Sequence, residues 1–167
     1  MIKILKILIT TLIFFFLNNC SNLKPLYKTD LSSLNKLQDV YIISNDKKTS
    51  KKIKKNLIAL FPNNKKTRYI LKIEGLSETS GTVSDTSRKI SRYKTQVSVK
   101  VKLYYRYKEY DKLIYEFYEK KDSSYSLILN NIRSAIASKN KAEYTSVRLV
   151  SEEIYKRLLI FFSKNQV

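Results

Sequence analysis

From Tyr93 to Tyr105 the chain alternates, with Tyr93, Thr95, Val97, Val99, Val101, Leu103 and Tyr105 on one side. Lys94, Gln96, Ser98, Lys100, Lys102 and Tyr104 fall on the other. Successive strand side chains point to opposite faces, so this pattern predicts one long β-strand with a buried face and a cationic face. Shorter strands are expected at Val40-Tyr41-Ile42-Ile43 and from Arg68 to Leu76, where Tyr69, Leu71 and Ile73 oppose Lys72 and Glu74. A returning strand is expected from Leu113 to Lys120, after a turn at Glu109-Tyr110-Asp111-Lys112. The Ser/Thr-rich stretch from Ser77 to Ser87, with Gly81, reads as an exposed loop or hairpin tip.

Two segments carry the helical period instead. Ile53, Leu57, Ile58 and Leu60 or Phe61 form a stripe opposite Lys51, Lys52, Lys54 and Lys55, with Thr49 or Ser50 as the expected cap and Pro62-Asn63-Asn64 as the stop. Val147, Val150, Ile154, Leu158 and Phe161 form the second stripe, with Glu152–Lys156 and Glu153–Arg157 as i,i+4 pairs on the other side. Helical spacing extends back to Ile132, with a break expected at Ser138-Lys139-Asn140. The order strand, helix, three strands, helix predicts an α/β (α+β) fold, a two-layer sandwich of two helices on one face of a four-stranded sheet.

The first residues follow neither period. Lys3 and Lys6 precede an apolar run from Ile7 to Leu17, interrupted only by Thr10 and Thr11. The run is short for a bilayer span and suits the h-region of a signal peptide. Leu17-Asn18-Asn19-Cys20 then resembles a lipobox, with Asn19 where Gly or Ala is usual, and Cys20 is the single cysteine of the chain. The expected division is a signal peptide over 1–19, a lipidated tether over 20–37, the α/β domain over 38–163 and a frayed tail over 164–167. The competing reading is an uncleaved signal anchor. Diacyl and N-acyl chains on Cys20 would hold the domain at a membrane stably, since one chain alone gives only marginal binding. Ser21 resembles the residue found there in lipoproteins sorted to the outer membrane, so the expected location is its periplasmic side.

Composition narrows the chemistry. There is no histidine and one cysteine, which excludes His-based triads, His/Cys metal sites and intrachain disulfides. No lysine dyad or poised carboxylate pair stands out, so a binding protein without catalytic residues, metal or cofactor is expected. The net charge is +19; cleavage before Cys20 removes two of the 33 basic residues and none of the 14 acidic ones, leaving +17. Such a charge suits an anionic partner: nucleic acid, an anionic membrane or a phosphorylated glycolipid. The export signal argues against nucleic acid. Equally, a Lys-, Asn-, Ile- and Tyr-rich chain fits AT-rich coding, with the charge as solvated surface. The tyrosines Tyr104, Tyr105, Tyr107, Tyr115 and Tyr118 read as cross-strand packing or as an aromatic ligand platform.

Cys20-Ser21-Asn22-Leu23-Lys24-Pro25-Leu26-Tyr27 resembles the mature start of alphaproteobacterial LPS-assembly lipoproteins of the LptE type, which carry Pro-Leu-Tyr one residue nearer the cysteine. Thr86-Ser87-Arg88 before the alternating strand, Ser123-Ser124-Tyr125 before the last helix, and Ala142 with Ile154–Phe162 within that helix are also similar. The resemblance implies the same two-layer fold, and a role in lipopolysaccharide transport as plug and partner of a large outer-membrane β-barrel of the LptD type. It also implies contact with lipopolysaccharide itself. Phosphates need cations at the contact. Arg88, Lys89, Arg92 and Lys94 are therefore the first candidates, followed by Lys139 and Lys141. The alternative is a lipoprotein subunit of another envelope transport or secretion complex.

Overall fold

The computed structural model describes residues 31–61, 67–83, 90–108, 110–126 and 132–164. The signal segment, Cys20, Pro25-Leu26-Tyr27, Pro62-Asn63-Asn64, Arg88 and Lys89 lie outside the described residues. The chain runs α1 (Leu31–Gln38), β1 (Val40–Ser44), α2 (Lys48–Leu60), β2 (Tyr69–Val83), β3 (Ile90–Arg106), β4 (Asp111–Ser126) and α3 (Ile132–Lys164). The strands form one mixed sheet in the order β1-β2-β3-β4, with β1 parallel to β2 and the other pairs antiparallel. The helices cover one face, as expected for the two-layer sandwich.

The buried face follows the sequence alternation. Thr95, Val97, Val99, Val101 and Leu103 of β3 are all buried, beside Leu71 and Ile73 of β2 and Phe117 of β4. Ile53 and Leu57 of α2 meet them, as do Val147, Val150, Ile154, Leu158 and Phe162 of α3. Each such side chain contributes about 1.5–3 kcal/mol when taken fully from water. Serines allow α3 to sit close: Ser146 Oγ donates to the Thr95 carbonyl at 3.1 Å, and Ser151 Oγ to the Val147 carbonyl at 2.8 Å. Lys52 and Glu143, 2.8 Å apart, join α2 to α3. The salt bridge between Arg157 of α3 and Glu119 of β4, also 2.8 Å, joins helix to sheet.

Several sequence expectations change here. A third helix, α1, begins within the stretch read as a tether and places Leu37 in the core. Neither Thr49 nor Ser50 caps α2. The helix starts at Lys48, the Asn45 side-chain oxygen accepts the Lys47 N–H at 3.3 Å, and Thr49 and Ser50 are buried. Of the apolar stripe on α2, Ile58 and Leu60 are exposed while Phe61 is buried. The polar stretch after Leu76 is strand as far as Val83, paired residue for residue with β3 through Thr82 before the register shifts, and Thr79 and Thr95 share a hydroxyl hydrogen bond at 3.2 Å. Likewise β4 continues to Ser126. The break at Ser138-Lys139-Asn140 does not occur; α3 is one helix, about 50 Å long at 1.5 Å per residue.

β1 ends early, and α2 takes over its role at the sheet edge. The Asn45 N–H bonds the Ile73 carbonyl, and beyond it the fully buried Ser50 hydroxyl accepts the Gly75 N–H at 2.7 Å. A Cβ on residue 75 would lie 2.8 Å from Ile53 Cδ1, so glycine is what lets the helix approach.

Candidate functional site

Ser146 rests on Thr95, and Phe162 meets the Tyr69 ring with centroids 5.0 Å apart, so α3 runs along β3 from its beginning to its end. This path brings the four described candidates, Arg92, Lys94, Lys139 and Lys141, to one end of the domain and separates them by layer. Arg92 and Lys94 lie at the start of β3 and share the bare face of the sheet with Lys100 and Lys102. Lys139 and Lys141 are exposed on the first turns of α3, across the opposite face. The two described members of the first group differ in their surroundings: Lys94 is bound to Asp122 at 3.2 Å, whereas Arg92 is exposed opposite Ser126 and Thr82.

Toward the middle of the bare face the cations are neutralised or seated on rings. Lys100 Nζ is 2.8 Å from Glu116 and 5.2 Å from the Tyr118 ring centre. The Glu116 and Tyr118 hydrogen bonds push the Lys100 pKa well up, and Lys100 in turn holds the Glu116 carboxyl below its usual range. Lys72 Nζ lies 4.7 Å over the Tyr104 ring. Tyr104 and Tyr118 thus act as seats for lysines.

The other tyrosines gather at the far end. Tyr69, Tyr105, Tyr107, Phe161 and Phe162 wall a half-open groove of about 520 Å3, completed by Lys112, Leu113 and Ile114 of β4. A smaller recess of about 250 Å3 adjoins it across Phe161, with Tyr115, Arg157, Ile160 and Lys164 around it. Phe161 stacks on Tyr115 at 4.6 Å, and Tyr69 meets Tyr105 edge-on at 5.4 Å. Burial, followed by the neighbouring Tyr105, raises the Tyr69 phenol pKa above its ordinary value. Of these residues the sequence offered only Tyr105, Tyr107 and Tyr115 as part of a platform; Tyr69, Phe161 and Phe162 were not among them, and the assembly joins the starts of β2 and β4 to the ends of β3 and α3.

Among the described residues no group of three or more His, Cys, Asp or Glu side chains is placed to hold a metal. No helix among them is long and apolar enough to cross a membrane. The arrangement offers a cationic end, a charge-paired sheet face and an aromatic groove, which suit binding.

The architecture is a two-layer α+β domain in which no described helix covers the second face of the sheet. Solved structures of similar shape include lipoproteins. A candidate lipoprotein from Caulobacter crescentus superposes with a TM-score of 0.64 at 11% identity, covering 80% of this chain and 97% of that one. A minor lipoprotein from Acinetobacter baumannii gives 0.58 at 11% identity, over 74% and 92%. An uncharacterised lipoprotein B from Nitrosomonas europaea gives 0.50 at 15% identity, over 74% and 83%. At these identities the likeness is one of fold. No family model and no curated protein sequence matches the chain.

Proposed function

We propose that this chain is an outer-membrane lipoprotein, acylated on Cys20 and held on the periplasmic side, that acts in lipopolysaccharide transport and assembly. It partners a large outer-membrane β-barrel as plug and supplies cations to the lipopolysaccharide passing through. One coincidence carries the reading: a lone cysteine directly follows a lipoprotein-type leader, on a chain whose fold spans 97% of a Caulobacter candidate lipoprotein. The net charge of +17 after cleavage supports an anionic ligand.

Two experiments test it. Cys20→Ser should abolish incorporation of labelled palmitate and leave the precursor uncleaved; equal labelling of mutant and wild type refutes the anchor. The double substitution Arg88→Glu, Arg92→Glu should leave the fold and barrel co-purification intact while weakening lipopolysaccharide binding. The loss should shrink with added salt, because exposed charges are screened over about 8 Å at physiological ionic strength. Wild-type protein that retains no barrel would move the assignment to another envelope complex. Unchanged binding by the folded double mutant would make these arginines solvated surface.

A further inference from the structure

The aromatic groove owes its cation to a register shift. Along β4, Phe117 pairs with Val101 and Tyr115 with Leu103, so an unbroken ladder would set Leu113 opposite Tyr105. Instead Tyr104 pairs with Leu113 and Tyr105 with Lys112, leaving Ile114 as the extra residue of a bulge. An extra residue exchanges the two faces of a strand beyond it, and bulges commonly re-aim a side chain beside a site. Here the exchange brings Lys112, a cation, beside Tyr105 on the groove side.

The surroundings of that cation are apolar and one-signed. At about 520 Å3 the groove lies within the range of roughly 300–1,000 Å3 typical of small-molecule sites. Lys112 stands at one side and Lys164 beside the adjoining recess, and no acidic residue lines either one. Among the described residues neither lysine has a carboxylate partner, whereas Arg157 is held by Glu119 and Glu153. Leu113 is 44% exposed and Tyr107 43%, so the apolar surface is open to a ligand. A long apolar body with a negative head matches this surface in both parts.

We propose that the groove takes one acyl chain of lipopolysaccharide, with Lys112 and Lys164 receiving the phosphorylated head. The ligand's identity rests on the function proposed above; the groove's preference for an anionic amphiphile rests on its own geometry.

The test uses full-length protein in intact cells. The photoreactive residue p-benzoylphenylalanine is placed at position 113, at position 92 on the cationic end, and at position 43 on the bare sheet face. All three native side chains are exposed, so the substitutions spare the core. Adducts are identified by mass after irradiation. Lipopolysaccharide joined through an acyl chain is expected at position 113 and not at 43. Lys112→Glu with Lys164→Glu should lower that yield at least about tenfold, since losing even one of the two charge-assisted contacts has that effect. A phospholipid or protein adduct at 113, no adduct there, or a yield unchanged by the charge reversal would overturn the proposal. Lipopolysaccharide captured at position 92 alone would overturn the groove and leave the proposed function standing. Its absence at every position, from protein shown to be folded, would count against both.

Discussion

Replacing Ser50 by alanine removes a single oxygen from the core, and the structure gives its effect a magnitude. The hydroxyl is fully buried, accepts the Gly75 N–H at 2.7 Å and lies 3.4 Å from the Gly75 carbonyl, a weak second contact. β1 ends at Ser44, so no strand can take its place on that edge of β2. An ordinary hydrogen bond contributes about 1 kcal/mol net, but a buried donor left without a partner costs roughly 1–3 kcal/mol. Alanine returns up to about 0.5 kcal/mol through its better helix propensity. The expected net loss is therefore about 2 kcal/mol. Urea unfolding of the detergent-solubilised full chain, followed by far-UV circular dichroism, should show a lower midpoint with an unchanged slope. The thermal midpoint should fall by roughly 4–8 °C. Gly75→Ala tests the same contact from the other side, because the new Cβ must displace the buried Ile53 Cδ1. Overpacking of that kind costs typically about 1–3 kcal/mol. A Ser50→Ala protein within about 0.3 kcal/mol of wild type would refute the reasoning, since it would mean that the Gly75 N–H finds another partner.

Val99→Asp places an unpaired carboxylate in the core and should unfold the domain, whereas Ser98→Asp on the bare face should stay within about 0.5 kcal/mol, both read by circular dichroism. Ser98 serves as the control because an acid at Lys100 would face Glu116 in place of its cation partner. Glu119→Gln should destabilise by about 1–2 kcal/mol, since the side chain is only 9% exposed and Arg157, at 40%, is partly screened by water. Thermal melts over a range of salt check it; a loss that vanishes at high salt would show an ordinary surface pair instead.

What the sequence made legible was whatever local pattern decides. The run through Val97, Val99, Val101 and Leu103 reads as a strand because one face is buried and the other is in water. The stripe from Val147 to Leu158 reads as a helix because only a 3.6-residue period brings those side chains together. Segments held by distant partners were harder. Ser77–Val83 looks like loop by composition, yet β3 supplies its hydrogen bonds. Ser138-Lys139-Asn140 has the composition of a break, but each residue costs the helix only tenths of a kcal/mol, and α3 passes through. α1 repeats leucine at 31, 34 and 37, with Leu37 buried and Leu34 half-covered, but eight residues hold barely two turns, too short a run to stand out as a helix beside a polar tether.

The same distinction separates the two ends of the candidate site. Charge is additive along a chain, so an excess of Lys and Arg announces an anionic partner wherever the residues fold. Which of those cations face a ligand is a matter of pairing: Asp122 engages Lys94 and Glu116 engages Lys100, while Arg92 keeps its exposure. The groove needs more, because none of its residues defines it alone. Tyr69, Tyr105 and Phe162 come from three elements whose ends meet only once the sheet and α3 have formed. Lys112 comes opposite Tyr105 because β4 gains a residue at Ile114, and no hydropathy pattern marks that bulge: Leu113, Ile114 and Tyr115 are all apolar or aromatic, so either face would accept them. The register is fixed from the other direction, by Phe117 against Val101 in the core and by Arg106 against Asp111 at the turn, 3.8 Å apart. Fixing both ends of the pairing with one residue too many on β4 forces the bulge between them. The cation at the groove is therefore a consequence of chain length between two anchored contacts.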